Sequence, residues 1–410
     1  MNKFSSIFTI TRVFFFTLTT WSCSESPILT ELSNSNLYLD TLSITDIQGQ
    51  NYKVAPNIGS NEKLYLGTKN GLSIPFSFIS IQNSSYWNLF FDSTITVDSL
   101  HFVLYSKDSL LSTSSTPNLY FSPDSQFNES NSTYLDYPGL TFADWTDMGQ
   151  ALVTINTDTS GLYTNTELIW ELDPLIAVLT DTLDSTLHRS FAIELTNSDT
   201  SFMELFSSEA STGDKDPKII IYLRDSTTVS EDSVSIDTLS VTIYSNNDLS
   251  VIDPTLSIID SAELILSNGL GVRAVLDLPF ISDLIPVGSI IRSAILSLPI
   301  DTVKSASPYT IILDPIDSVA VDTLDVLESD PYMGIGYPYR VSNVLEPDSI
   351  SNGLFTISVK NILQNISLGN EKNIGFKMVA DENNDPFQSV WFNLKDYPEK
   401  TKLEIIYVTQ

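Results

Sequence analysis

The chain has 410 residues, with 51 acidic against 20 basic side chains and a net charge of −31. That length accommodates two ordinary domains, each with its own core, while the charge opposes binding to nucleic-acid phosphates over a broad surface. A single cysteine, Cys23, excludes a disulfide within the chain, and two histidines, His101 and His188, leave little material for a zinc centre.

Residues 1–22 carry Lys3 and Arg12, then the short apolar stretch Val13 to Trp21. A positive start, an apolar middle and a small residue before the cut make a secretory signal. A membrane-spanning helix would need about 20 predominantly apolar residues, and Arg12 and the threonines interrupt the run. Cys23 directly after this stretch resembles the lipobox of bacterial lipoproteins, although Thr20 and Trp21 replace its usual leucine and small residue. The resemblance implies acylation of Cys23, a membrane anchor through the lipid, and a tether over 23–34. Ser24 and Glu25 then point to an outer-membrane lipoprotein. An ordinary signal peptide with an incidental cysteine is the alternative.

The rest of the chain reads as strands, repeated. "DTLSIT" at Asp40 to Thr45 returns as "DTLSVT" at Asp237 to Thr242, and "LYLGTKNGLSIPFSFIS" from Leu64 as "LILSNGLGVRAVLDLPFIS" from Leu264. "VDSLHFVLY" from Val97 matches "IRSAILSLP" from Ile291, and "LIWELDPLIAVL" from Leu168 matches "FTISVKNILQNI" from Phe355. The segments from Arg189 and Lys372 correspond, as do "DPKIIIYL" from Asp216 and "KTKLEIIYV" from Lys400. Six blocks in one order define two copies, 35–223 and 235–410, with the polar stretch 224–234 as a linker.

Within a copy, Asn70-Gly71 and Asn268-Gly269 each supply the positive φ of a tight hairpin. Ile74, Phe76 and Phe78 alternate with Ser73, Pro75 and Ser77, and Leu100, Phe102 and Leu104 repeat the period of two, so one face of each strand is expected to be buried. Asp173-Pro174 caps a short helix over Leu175 to Leu179, with a counterpart at Lys360 to Ile366. The fold expected is all-β: two tandem jelly-roll-like β-sandwich domains, each with one short helix.

The order of blocks resembles the DNRLRE domain family, related to carbohydrate-binding modules. The residues that carry it are Asn57-Ile58-Gly59 before Leu64-Tyr65-Leu66-Gly67, then Val97 to Tyr105, Phe206-Ser207-Ser208-Glu209 and Pro217-Lys218 to Tyr222. The second copy keeps Ile291 to Leu296 but reads Phe392-Asn393-Leu394 where Ser-Ser-Glu would stand. The resemblance covers most of 35–408 and implies carbohydrate as the ligand class. Its motifs are structural, so it speaks for fold before activity.

No Gly-x-Ser-x-Gly elbow, His-Glu-x-x-His pair or Walker loop occurs, so the expectation is a protein that is not an enzyme. Sugar binding would use aromatic faces beside hydrogen-bonding side chains. Trp145 in "FADWTD" is the candidate platform, weighed against a packing role. Tyr337, Tyr339 and Arg340 in "PYMGIGYPYR" form a candidate contact surface. Asp381, Asn383 and Asp385 in "DENND" crowd oxygens as a calcium loop does, weighed against a solvated turn. The function expected is a non-catalytic envelope lipoprotein that binds polysaccharide. The alternative is a structural or adhesive envelope protein with protein partners and no glycan ligand.

Overall fold

The computed structural model describes residues 38–107, 116–124, 127–181, 187–196, 198, 201–211, 213–230, 233–255, 263–278, 281–316, 325–332, 340–369 and 375–409. The expected signal segment 1–22, Cys23, the expected tether 23–34, Tyr337 and Tyr339 lie outside the described residues. Among the described residues, no helix is long and apolar enough to cross a membrane.

The protein is all-β with a few short helices. β1 (Tyr38–Ile44) and β2 (Gln48–Val54) precede a hairpin of β3 (Lys63–Lys69) and β4 (Leu72–Ile81). Then come β5 (Ile95–Ser106), β6 (Pro117–Ser122), β7 (Thr146–Gln150), β8 (Leu152–Thr157) and β9 (Tyr163–Glu171). A turn of helix, Asp173–Leu175, runs into α1 (Ile176–Leu179) and on to β10 (Ser190–Leu195), β11 (Phe202–Phe206) and β12 (Lys218–Ser230). The second half holds β13 (Ser233–Asp253), β14 (Leu264–Leu266), β15 (Val272–Asp277), α2 (Ile281–Leu284), β16 (Ile290–Pro299) and β17 (Tyr309–Ile316). It closes with β18 (Val326–Leu327), β19 (Val341–Leu345), α3 (Pro347–Asn352), β20 (Leu354–Ser358) and α4 (Lys360–Ser367). β21 (Gly375–Ala380), β22 (Val390–Phe392) and β23 (Lys402–Thr409) complete the chain.

Two sandwich cores result. In the first, β8, β9, β5, β12 and the leading half of β13 face β3, β4, β10 and β6 across a core that includes Leu100, Phe102, Phe121, Trp170, Phe191 and Ile221. In the second, the sheet β1-β23-β16-β20 faces β18-β2-β15-β21-β17-β19, with Leu296, Phe355, Phe376 and Leu403 between them. Alternation of apolar residues along each strand supplies the inner faces, as in other face-to-face sheets.

The partition of the chain between the cores differs from the expected boundaries. β1 pairs along its length with β23, from Tyr38↔Thr409 to Ile44↔Leu403, and β2 pairs with β15. Ile44 and Ile47 therefore sit in the second core. β13 does the reverse: it pairs with β12 up to Tyr244, then crosses to pair with β4 from Ser245 to Asp253, and its Ile243 sits in the first core. The leading segments of the two repeats are exchanged.

Residues 224–230 and 233–234, expected as linker, are instead paired strand in the β12–β13 hairpin, because the exchange needs this segment to continue the sheet. The repeated "DTLS" motif also shifts. Asp40 sits opposite Tyr407 and Asp237 opposite Asp225, whereas by burial Tyr407 corresponds to Leu223, whose partner is Leu239. The offset is two residues, which keeps the same side chains facing inward.

Three local expectations change. Asp173 does not cap its own helix; its Oδ1 accepts the Leu100 N–H at 3.0 Å and ties the turn to β5. Asn70-Gly71 has positive φ at both residues (51° and 80°), but the second hairpin closes with Gly271 (φ 63°) and not with Asn268-Gly269. A Cβ on Gly271 would lie 2.0 Å from the Val54 carbonyl oxygen, so glycine is needed where β2 approaches. Finally, Phe76 and Phe78 are buried, but under an outer aromatic layer, and the main core takes Ile79 and Ile81 from the opposite face. The second core also carries three short helices, α2, α3 and α4, where one was expected.

A smaller apolar cluster joins the two sandwiches. Ile58, Tyr65, Leu72 and Ile74 meet Ile252 and Phe387, with the Lys69 ammonium 4.7 Å from the Phe202 ring and 5.0 Å from that of Phe387.

Candidate functional site

A cavity of about 430 Å³ opens at this junction, over the outer face of β15, β17 and β21. Arg273, Arg340 and Lys377 line it, with Asp381, Glu382 and Asn57 on the rim. Its far wall is the loop containing Ser130, held because the Asn57 amide donates to the carbonyls of Glu129 (2.8 Å) and Ser132 (2.7 Å).

The strand period dictates this floor. Residues pointing outward from the second core alternate with core residues: Arg273 beside Ala274, Lys377 between Phe376 and Met378, Asp314 after Leu313. Burial of these charges is tolerable only if they are paired. Asp330 accepts from Lys377 Nζ at 3.0 Å, from the Tyr52 hydroxyl at 3.2 Å and from Arg273 Nη1. Burial alone would raise the Asp330 carboxyl, but the Arg273 charge, the Tyr332 N–H and Lys377 outweigh it and hold it below the usual carboxylate range. Arg340 forms a two-point contact with the buried Asp314, Nε to Oδ1 at 2.9 Å and Nη2 to Oδ2 at 2.9 Å, and this pairing keeps its guanidinium charged.

Chemically the cleft is a set of fixed donors: Arg273 and Lys377 share Asp330, Arg340 pairs with Asp314, and Asp381 and Glu382 on the rim tip the balance of these groups to negative. Val272, Ile312, Val379 and Ala380 add C–H surface. The Tyr52 phenol is pushed up by burial and by Asp330, so it stays protonated and donates. Such a surface suits a hydroxyl-rich, uncharged ligand better than an anion.

The structure brings Arg340 and Asp381, expected on separate surfaces, to the same cleft. It leaves the rest of "DENND" in turn hydrogen bonds: Asp381 Oδ1 accepts the Asn383 N–H at 3.0 Å and Asp385 Oδ1 the Phe387 N–H at 3.0 Å. Asp385 also lies 3.8 Å from Lys69.

Trp145 sits elsewhere, half-buried in the outer aromatic layer of the first sandwich, 6.1 Å from Phe78 and 5.2 Å from Phe142 between ring centres. That is the packing role weighed against sugar stacking. Arg273, Asp314, Asp330 and Lys377 were missed from the sequence. For Arg273, Asp314 and Lys377 the signal is a lone charge inside an apolar strand, as in "GVRAVL", "TIILDP" and "GFKMV"; Asp330, in the turn "ESDPY", carries no such signal. No family model, no curated protein and no solved structure matches the chain.

Proposed function

We propose that this protein is a non-catalytic cell-envelope lipoprotein, anchored through Cys23 in the outer membrane, that binds an uncharged polysaccharide. The DNRLRE-type resemblance supplies the ligand class. The observation that carries the reading is the cleft over β15, β17 and β21, where Arg340 and Lys377 are fixed as hydrogen-bond donors by buried carboxylates. Preorganised donors beside C–H surface hold sugar hydroxyls at low entropic cost.

The test is affinity electrophoresis of residues 24–410 through gels containing neutral or anionic polysaccharides. Arg340→Ala alone would strand Asp314 as a buried unpaired charge, so Arg340 and Asp314 are both changed to Ala, which removes the pair as a unit. Retardation by a neutral glycan that the double variant loses, with its melting temperature retained, supports the reading. Retardation unchanged in the double variant refutes this site.

The strand exchange favours a second reading, a structural or adhesive spacer whose sandwiches are tied together by β1, β2 and β13. It predicts no retardation in any gel and recovery of the protein with another envelope protein.

A further inference from the structure

On the loop that forms the far wall of the cleft and on the first sandwich beside it, three carboxylates converge. One oxygen each from Glu129, Glu209 and Asp248 lie within 4.8 Å of one another. They come from separate parts of the chain: Glu129 from the loop after β6, Glu209 from the turn after β11, and Asp248 from the exchanged strand β13. Among the described residues this is the sole group of three or more His, Cys, Asp and Glu side chains that converges in this way.

A cluster of acids is ordinarily a solvated surface, but Asp248 is fully buried. Its Oδ2 accepts the Ser208 N–H at 2.7 Å, while its Oδ1 is buried with no hydrogen-bond partner. An unpaired carboxylate oxygen in the interior costs several kcal/mol of lost hydration unless something positive meets it. Glu129 is held in place because its Oε1 accepts the Asp248 N–H at 2.9 Å and its carbonyl receives Asn57. Glu209 is oriented by the Ser208 hydroxyl at 2.9 Å.

We infer that Glu129, Glu209 and Asp248 form a binding site for a hard divalent cation, of the calcium class, that clamps the exchanged strand β13 to the body of the first sandwich. The dimensions fit: oxygens about 2.3–2.6 Å from a shared Ca²⁺ lie at most about 4.6–5.2 Å apart, and three carboxylates supply the charge that a dehydrated cation requires. Smaller Mg²⁺ holds its water more tightly and competes less well for a site walled by protein. This site is distinct from the "DENND" loop, where Asp381 and Asp385 each accept an N–H of their own turn and Glu382 accepts the Ser60 hydroxyl.

The experiment is calorimetric titration of the chelator-treated full chain, in mild detergent, with CaCl2 and with MgCl2, alongside thermal unfolding with and without calcium. The expected result is one calcium site and a melting temperature raised by calcium. Glu209→Gln, at an exposed position, should fold normally and weaken calcium affinity by about tenfold or more. Asp248→Asn should abolish the calcium response yet be at least as stable as the parent in chelator, because it removes the buried charge. A role limited to packing would instead make Asp248→Asn less stable in both conditions. Asp381→Asn with Asp385→Asn should leave the titration unchanged. The inference is overturned if the parent protein gives no heat and no thermal shift with either ion at millimolar concentration. It is equally overturned if Glu209→Gln binds calcium as the parent does.

Discussion

Ile243 gives the sharpest test of the strand exchange. By sequence it opens the second repeat, yet in the structure it is fully buried in the first core, opposite Ile219. Ile243→Ala removes three carbons, worth about 0.8 kcal/mol each in transfer, and leaves a cavity that adds to the loss. A total of about 3 kcal/mol follows, within the range of roughly 2–5 kcal/mol for such truncations. For a sandwich of this size that corresponds to a melting shift of roughly 6–12 °C. Amide exchange in strands that open only with the whole sandwich should accelerate on the order of 100-fold. Exchange monitored by mass spectrometry should show this acceleration in Ser190–Leu195 and spare Tyr309–Ile316. Ile44→Ala should give the mirror image, accelerating Tyr309–Ile316, because Ile44 lies in the second core. If Ile243→Ala accelerates Tyr309–Ile316 and spares Ser190–Leu195, the sandwiches are assembled in simple tandem and the exchange is refuted.

Two further outcomes are expected. Asp330 has a lowered folded-state pKa, so its contribution to stability is complete above its unfolded value, near pH 4, and is lost as pH falls through the folded value. Acid titration followed by circular dichroism should show that Asp330→Asn, which strands Lys377, costs about 3–5 kcal/mol at neutral pH and removes this group's share of the acid slope. An unaltered slope would mean that other carboxylates govern acid unfolding. Trp145→Ala should lower the stability of the first sandwich by about 2 kcal/mol through lost contact with Phe78 and Phe142, yet leave any glycan retardation unchanged. Lost retardation with stability intact would return Trp145 to a ligand site.

Much of the fold was legible in the sequence because repeats and periodicity are local properties. The expected helices at Leu175–Leu179 and Lys360–Ile366 appear at Ile176–Leu179 and Lys360–Ser367, and Leu100, Phe102 and Leu104 face the first core. The exchange was not legible. A repeat states which segments are equivalent, but either copy of "DTLS" presents the same inward-facing pattern to β12 or to β23. The cleft was half legible for the same reason. Arg340 and Asp381 stand out locally, whereas Arg273, Asp314 and Lys377 acquire meaning only when three strands are laid side by side.

The pairing of Tyr38 with Thr409 also fixes an order of events during synthesis. β1 is synthesised long before β23, the strand it pairs with along its length, and β2 well before its partner β15. The first sandwich has all its strands once residue 253 is available, so it can close while β1 and β2 still have no mates. Until β15 arrives for β2 and β23 for β1, these strands present unsatisfied backbone donors and acceptors, the kind of edge that invites pairing with neighbouring chains. Chaperones that shield extended segments in transit would act on β1 for the whole interval, and a chain truncated before Lys402 would never pair it.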